Sequence, residues 1–369
     1  MNVLILSCNT GAGHNSCAKA ISQVYETRGH NCQITDALSF VSENLSAFIA
    51  WGHSTTYRHA PKLFQKGYDF SERHPNTVQG KVSINTVLAT GAGKLREHIL
   101  QGQFDTVICT HVFSALMLTD MQKKHPIELK TGFVSTDFTY YPGVDAIRMD
   151  RYFVPAAALR PLYLDGGIPE EKIVISGIPV AQQHYQRTQK AAAKAQLGIQ
   201  PEQKHLLMMC GSMGCGPIKE TARLLVQQIG EDTVLSIVCG TNKRLHHALA
   251  ELYGSHSRVR IYGFVKEMSL MMDSADLYLT KPGGLSVSEA AIRDLPMVFI
   301  NAVAGCEEHN RRYFEELGAA KSSDDPEILA AMCADLLTHP AELEKMKRVL
   351  SAEEKINAAE KIYQELCKV

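Results

Sequence analysis

The chemistry in this sequence concentrates in Lys281-Pro282-Gly283-Gly284-Leu285-Ser286-Val287-Ser288-Glu289-Ala290. An apolar run from Leu277 to Thr280 leads into it as a strand, and a short helix follows. Proline ends the strand, and the two glycines let the backbone turn sharply and approach a ligand closely. The first N–H groups of a helix have no partner inside it and sit at the positive end of its dipole, which suits them to phosphate. Glu289 has two readings. Ser286-x-x-Glu289 is capping-box spacing, in which the carboxylate bonds the helix start; otherwise the carboxylate faces a ligand held at that start.

The second candidate is His14, which closes the glycine loop Asn9-Thr10-Gly11-Ala12-Gly13-His14. Histidine titrates near neutral pH, as a general base should, and a helix dipole at its start would hold the ring neutral and ready for a proton. The competing role is plain capping of its own loop. Asp137, just beyond the strand at 131–134, is either a rival base or the group that orients His14, and His111, beyond 106–109, is a lesser candidate.

These residues need a scaffold to hold them. Val3-Leu4-Ile5-Leu6 is a continuous apolar run, as in a strand buried on both faces of a parallel sheet. Strands at 33–35, 106–109, 131–134, 152–154 and 173–175 follow, with helical stretches between most of them. Strand, glycine loop and helix then start again at Leu206-Leu207-Met208-Met209-Cys210 and Gly211-Ser212-Met213-Gly214, followed by strands at 234–238, 259–262, 277–280 and 297–300. This is an α/β chain of two Rossmann-like domains with parallel sheets. Their expected limits are 1–182, a linker at 183–204, 205–340, and C-terminal helices at 341–369 that could return to the first domain. Ligands of such sheets bind beyond the carboxyl ends of the strands, so a cleft between the domains is the expected site, with His14 on one wall and Ser212, Gly283, Gly284 and Glu289 on the other.

Composition narrows the function. With 369 residues, 45% hydrophobic content and a net charge of −1, the chain reads as a soluble globular protein with no charge-driven affinity for nucleic acid. The first fifteen residues read as strand and loop rather than signal peptide, and no apolar run reaches the twenty or so residues that span a bilayer. Ten cysteines without a C-x-x-C read as reduced thiols, and fifteen histidines without H-x-x-x-H argue for no metal site. An insertion at 37–80 carries Phe48, Trp51, Tyr57 and Phe64 among Arg58, Lys62 and Lys66. It reads either as amphipathic helices packed on their own domain or as a surface that dips into a lipid interface.

Several motifs in order resemble one family: Thr10-Gly11-Ala12-Gly13-His14-Asn15-Ser16, Ser135-Thr136-Asp137-Phe138, Gly177-Ile178-Pro179-Val180, Tyr262-Gly263-Phe264-Val265, Lys281 to Glu289, and Gly305-Cys306-Glu307-Glu308-His309-Asn310. The chain resembles the inverting UDP-sugar glycosyltransferases of GT-B fold, above all the monogalactosyldiacylglycerol synthases and bacterial diacylglycerol glucosyltransferases. The resemblance implies that Glu289 holds the ribose of UDP and that Phe264 and Val265 flank the uracil. Ser212 and Gly283-Gly284-Leu285-Ser286 would hold the diphosphate, Glu307 and Asn310 the sugar, and Gly13 would also contact the UDP-sugar. His14, with Asp137, would serve the acceptor. It further implies a UDP-sugar as substrate with no cofactor, a hexose (glucose or galactose) passed to diacylglycerol or a related lipid, and a peripheral place on the cytoplasmic face of the membrane. No Asp-x-Asp triplet is present, so metal-independent transfer is expected. Two positions depart from the family: Asn9 stands where the plastid enzymes carry an acid, and Cys306 where glutamine usually meets the sugar. The alternatives are a transferase for a polyprenyl-linked or soluble acceptor, a UDP-N-acetylglucosamine 2-epimerase, and a non-catalytic sugar-nucleotide sensor.

Overall fold

A computed structural model of the chain describes residues 1–9, 11–42, 84–211, 214, 216–300 and 305–369. Phe48, Trp51, Tyr57 and Phe64 lie outside the described residues, as does Ser212. The chain divides into two compact units, the first drawn from Met1–Ala181, Ala304–Cys306 and Ile356–Val369, the second from Gln182–Val303 and Glu307–Lys355.

The first unit contains β1 (Asn2–Ser7), α1 (Ala12–Thr27), β2 (Asn31–Asp36), α2 (Ile84–Ala89), α3 (Ala92–Gln101) and β3 (Thr106–Cys109). It continues with α4 (Val112–Lys124), β4 (Lys130–Val134), β5 (Arg151–Val154), α5 (Arg160–Asp165) and β6 (Ile173–Ile175). The second holds α6 (Lys190–Gln196), β7 (Lys204–Met209), α7 (Ile218–Gln228), β8 (Thr233–Val238), α8 (Lys243–Tyr253) and β9 (Val259–Tyr262). There follow α9 (Met268–Ser274), β10 (Leu277–Thr280), α10 (Gly284–Ile292), β11 (Met297–Ile300) and α11 (Cys306–Glu316). Last come β12 (Ala320–Ser323), α12 (Pro326–Thr338), α13 (Pro340–Ala352) and α14 (Ala358–Leu366).

Each unit is built on one sheet of six parallel strands, ordered β2-β1-β3-β4-β5-β6 and β12-β11-β10-β7-β8-β9. Val3, Leu4, Ile5 and Leu6 show no exposed surface, because helices cover both faces of the sheet. In each sheet the order reverses once, between β1 and β3 and between β7 and β10. The loops that leave two such strands diverge to opposite faces and open a crevice at their carboxyl ends. His14 follows β1, and the turn of Lys281 to Gly284 follows β10, so both sequence candidates sit at these points.

Three features differ from the sequence expectation. Residues 183–204, expected as a linker with a short helix, contain that helix (α6) and are tied into the second unit: the Thr188 N–H donates to Asp273 at 2.8 Å, and Lys190 and the buried Lys194 both reach Asp276. Carboxylates of the second unit thus draw the stretch into it. The C-terminal helices divide: α13 stays in the second unit through Met346, whereas α14 packs Ile362 and Leu366 against Tyr25 and Phe153 of the first. The strand β12 was not expected, since Ala-Lys-Ser-Ser is polar and lies at the sheet edge, where only one face needs covering.

Candidate functional site

The first unit presents His14 on the opening turn of α1. Its Nδ1 lies 2.9 Å from the Thr110 carbonyl oxygen. A carbonyl can only accept, so Nδ1 carries the proton and Nε2 keeps the lone pair. Burial depresses the imidazole pKa to about 4, so the ring is neutral at neutral pH. The Thr136 hydroxyl shares the same Nδ1–H at 3.0 Å and lies 3.1 Å from the Tyr141 hydroxyl, which donates to Asp137 Oδ2 at 2.5 Å. Asp137 is therefore joined to His14 by a chain of hydroxyls rather than by direct contact. Burial, and next the Asp137 charge, hold the Tyr141 phenol well above its usual pKa, so it remains a donor. His111 stacks edge-on against His14 with ring centres 4.6 Å apart, but its Nδ1 accepts the Phe113 N–H as the cap of α4. That assigns the remaining proton to its Nε2, which removes it as a base. Asn9, at the position where the plastid enzymes have an acid, donates to Asp36 at 2.9 Å and receives a bond from Asn15.

In the second unit the cap of α10 is Gly283, which has no side chain with which to bond the helix start. Ser286 is then the third residue of the helix and Glu289 the sixth, which overturns the capping-box reading: a box needs its hydroxyl at the cap itself. The helix starts of α8, α12 and α14, by contrast, are closed by Asn242, Asp325 and Asn357. The first amides of α10 have no partner within the helix itself, and Leu285 and Ser286 are half-buried there. Glu289 keeps 19% of its side-chain surface exposed, and burial of the rest raises its pKa to about 7.

The two glycines also differ from expectation. Gly283 has φ −74°, and a Cβ there would meet nothing within 4 Å among the described residues, so neither backbone strain nor their packing demands glycine. Close approach of a ligand is the remaining reason. We expect Gly283→Ala to fold with unchanged thermal stability and to bind UDP about tenfold more weakly, as calorimetry would measure. The loop after β7 is different: Gly211 and Gly214 adopt positive φ of 70° and 55°, and a Cβ on Gly214 would collide with the Cys239 carbonyl.

Phe264, on the loop after β9, is 66% exposed, so ordinary strand-end packing does not account for it; Val265 beside it is half-buried. Glu307 is half-buried in the first turn of α11. Asn310 is fully buried, and its amide nitrogen donates to the Pro282 carbonyl at 2.9 Å, which props the turn from behind.

Sequence reasoning missed Thr110, Thr136, Tyr141, His184 and Arg293. Thr136 stands within a motif that carried the family likeness, but nothing in the spacing ties Tyr141 to His14. Arg293, at the end of α10, donates to Asp273 and to the carbonyls of Gln183 (2.9 Å) and Gln186 (3.0 Å). Both ionic side chains are buried, at 1% and 5% exposure. Removing one partner leaves the other charge uncompensated, so Arg293→Ala should cost about 3–5 kcal/mol in a urea titration.

Residues 14–180 match the family model of monogalactosyldiacylglycerol (MGDG) synthase, and residues 205–363 that of the glycosyltransferase family 28 C-terminal domain. The processive diacylglycerol beta-glucosyltransferase of Bacillus licheniformis is 25% identical over 98% of this chain and 93% of its own length. That of Staphylococcus saprophyticus is 27% identical over 71% of this chain and 66% of its own. Among solved structures, Acinetobacter baumannii MurG aligns over 100% of this chain and 99% of its own with TM-score 0.66 at 14% identity. The UDP-GlcNAc 2-epimerase of Neisseria meningitidis, bound to UDP-GlcNAc, aligns over 100% of both chains with TM-score 0.64 at 16% identity. At such identities the structural likeness is one of fold.

Proposed function

We propose, for a chain that belongs to the two-domain UDP-sugar glycosyltransferases of GT-B fold, that it moves glucose or galactose from its UDP donor to diacylglycerol or a related lipid hydroxyl. The observation that carries this reading is the alignment of a diacylglycerol glucosyltransferase along 98% of the chain. The geometry of each unit supports it. In the second, the Gly283-Gly284-Leu285-Ser286 turn at the start of α10 receives the diphosphate, Glu289 accepts from the ribose hydroxyls, Phe264 and Val265 flank the uracil, and Glu307 reaches toward the sugar. In the first, beside Gly13, Nε2 of His14 takes the proton of the acceptor hydroxyl as its oxygen bonds the anomeric carbon. The bond from that carbon to the β-phosphate oxygen breaks, and its electron pair leaves with UDP. Attack from the side opposite UDP inverts the centre, so an α-linked donor gives a β-glycoside.

Negative charge builds on the departing UDP, and preorganised amides at a helix start stabilise it without reorganisation. Transfer should therefore persist at full rate in EDTA. Asp137 acts at a distance. As His14 becomes cationic, the hydroxyls of Thr136 and Tyr141 pass the carboxylate's stabilisation to Nδ1–H. No helix among the described residues is long and apolar enough to cross a membrane. The protein meets its lipid from the cytoplasmic face as a peripheral enzyme, which co-sedimentation with anionic vesicles would show.

The deciding assay combines the purified protein, vesicles containing diacylglycerol and a panel of UDP-hexoses, with released UDP and glycolipid both measured. Glycolipid formed in step with UDP is the expected result. UDP release only with a soluble acceptor, or epimerisation of UDP-N-acetylglucosamine without an acceptor, would overturn it.

A further inference from the structure

His184 lies in the short 3-10 turn Gln182–Tyr185 and is 3% exposed. Its Nε2 sits 3.4 Å from Glu289 Oε1, and its Nδ1 has no hydrogen-bond partner among the described residues. That is an unusual position for a histidine that serves only packing, because leucine or phenylalanine would fill the same space without stranding a polar nitrogen. The segment that carries it is fastened to the end of α10: Arg293 holds the Gln183 and Gln186 carbonyls, and Arg187 pairs with Asp294 at 2.7 Å. The imidazole is thus held against one edge of the carboxylate by a fastened segment, while 19% of the Glu289 side chain stays exposed.

We propose that His184 is a positioning residue for the ligand-binding carboxylate, its Nε2–H closing onto Oε1 so that the other edge of Glu289 meets the ribose diol of a uridine diphosphate. This rests on the assignment of Glu289 to the ribose. Burial, then the Arg293 charge, lowers the His184 pKa to about 4, so the ring supplies a neutral N–H and adds no charge of its own to the site. A neutral donor steers the carboxylate without neutralising it, which leaves its acceptor capacity for the hydroxyls.

The test is calorimetric binding of UDP and of 2′,3′-dideoxy-UDP at pH 8, where Glu289 is ionised, to the wild type, His184→Leu, His184→Gln and Glu289→Ala. We expect His184→Leu to lose about tenfold in UDP affinity with that for the dideoxy compound unchanged, and His184→Gln, whose amide keeps a donor, to recover most of the loss. Equal weakening of both ligands would reduce His184 to a structural role, and unchanged UDP affinity would remove even that. Should His184→Leu fail to fold, His184→Met, which fills the space without an N–H, takes its place: ribose discrimination lost in it and kept in His184→Gln upholds the proposal, and discrimination kept in both overturns it. If Glu289→Ala still prefers UDP over its dideoxy form, the ribose assignment itself fails, and the role of His184 falls with it.

Discussion

His14→Ala should lower turnover by about 10²–10⁴-fold with UDP affinity nearly intact, the range general bases contribute. Steady-state kinetics on lipid vesicles, paired with calorimetry, would measure both quantities. The expectation follows from the fixed tautomer: Nδ1 is committed to the Thr110 carbonyl, which leaves Nε2 as the basic nitrogen. A ring whose pKa is held near 4 is present as base throughout the neutral range, but it gains little by accepting a proton unless the cation is stabilised. The hydroxyl chain to Asp137 supplies that stabilisation. Tyr141→Phe interrupts the chain and Asp137→Asn removes its charge, and each should cost about tenfold or more in kcat with the donor KM unchanged. The acid limb that belongs to His14 should lie near pH 4, below any limb from donor binding. Near-normal turnover in His14→Ala would transfer the base to Asp137.

Glu289→Ala should weaken UDP-sugar binding by about a hundredfold, since a carboxylate accepting from two hydroxyls makes two charge-assisted bonds. The pH dependence has a definite sign. The pKa is raised from 4.5 to about 7 by burial, so the carboxyl is neutral below pH 7 and ionised above it. The ionised form accepts from both hydroxyls, and affinity for a UDP-sugar should therefore rise as pH passes upward through 7; in Glu289→Gln that rise should vanish. Stability moves the opposite way. The folded state holds this proton more tightly than the unfolded state, so ionisation costs stability between pH 4.5 and 7. At pH 8, Glu289→Gln should melt at a higher temperature than the wild type while binding less. A carboxylate that the fold pays to keep charged, in a variant series where stability and binding diverge, marks function rather than packing.

The apolar runs were enough to determine the first sheet and all but the edge strand β12 of the second. Val3 to Leu6 and Leu277 to Thr280 can be satisfied only as strands covered on both faces, and the glycine loops that follow mark where helices begin. From that alternation alone come the two α/β units and the placement of His14 and Glu289 at the carboxyl ends of strands. Polar, weakly patterned stretches were not legible. Ala320 to Ser323 forms an edge strand without an apolar signature, and 183–204 looked like a linker because lysines and glutamines carry no period. Its folding depends on Asp273 and Asp276, about ninety residues away in sequence.

Side-chain partners belong to the same class. Local spacing made Ser286 and Glu289 a capping box, yet the helix begins at Gly284, which frees the carboxylate. Nothing local links Tyr141 to His14, His184 to Glu289, or Asn310 to Pro282. Hydrophobic period is a property of neighbours along the chain, so the sequence by itself determined the apolar strands, the glycine turns and the residue types at their ends, but not the polar edge strand β12. Which nitrogen of His14 holds a proton, and which edge of Glu289 stays open, are set by groups that only tertiary packing brings within three or four ångströms, where hydrogen bonding and desolvation act.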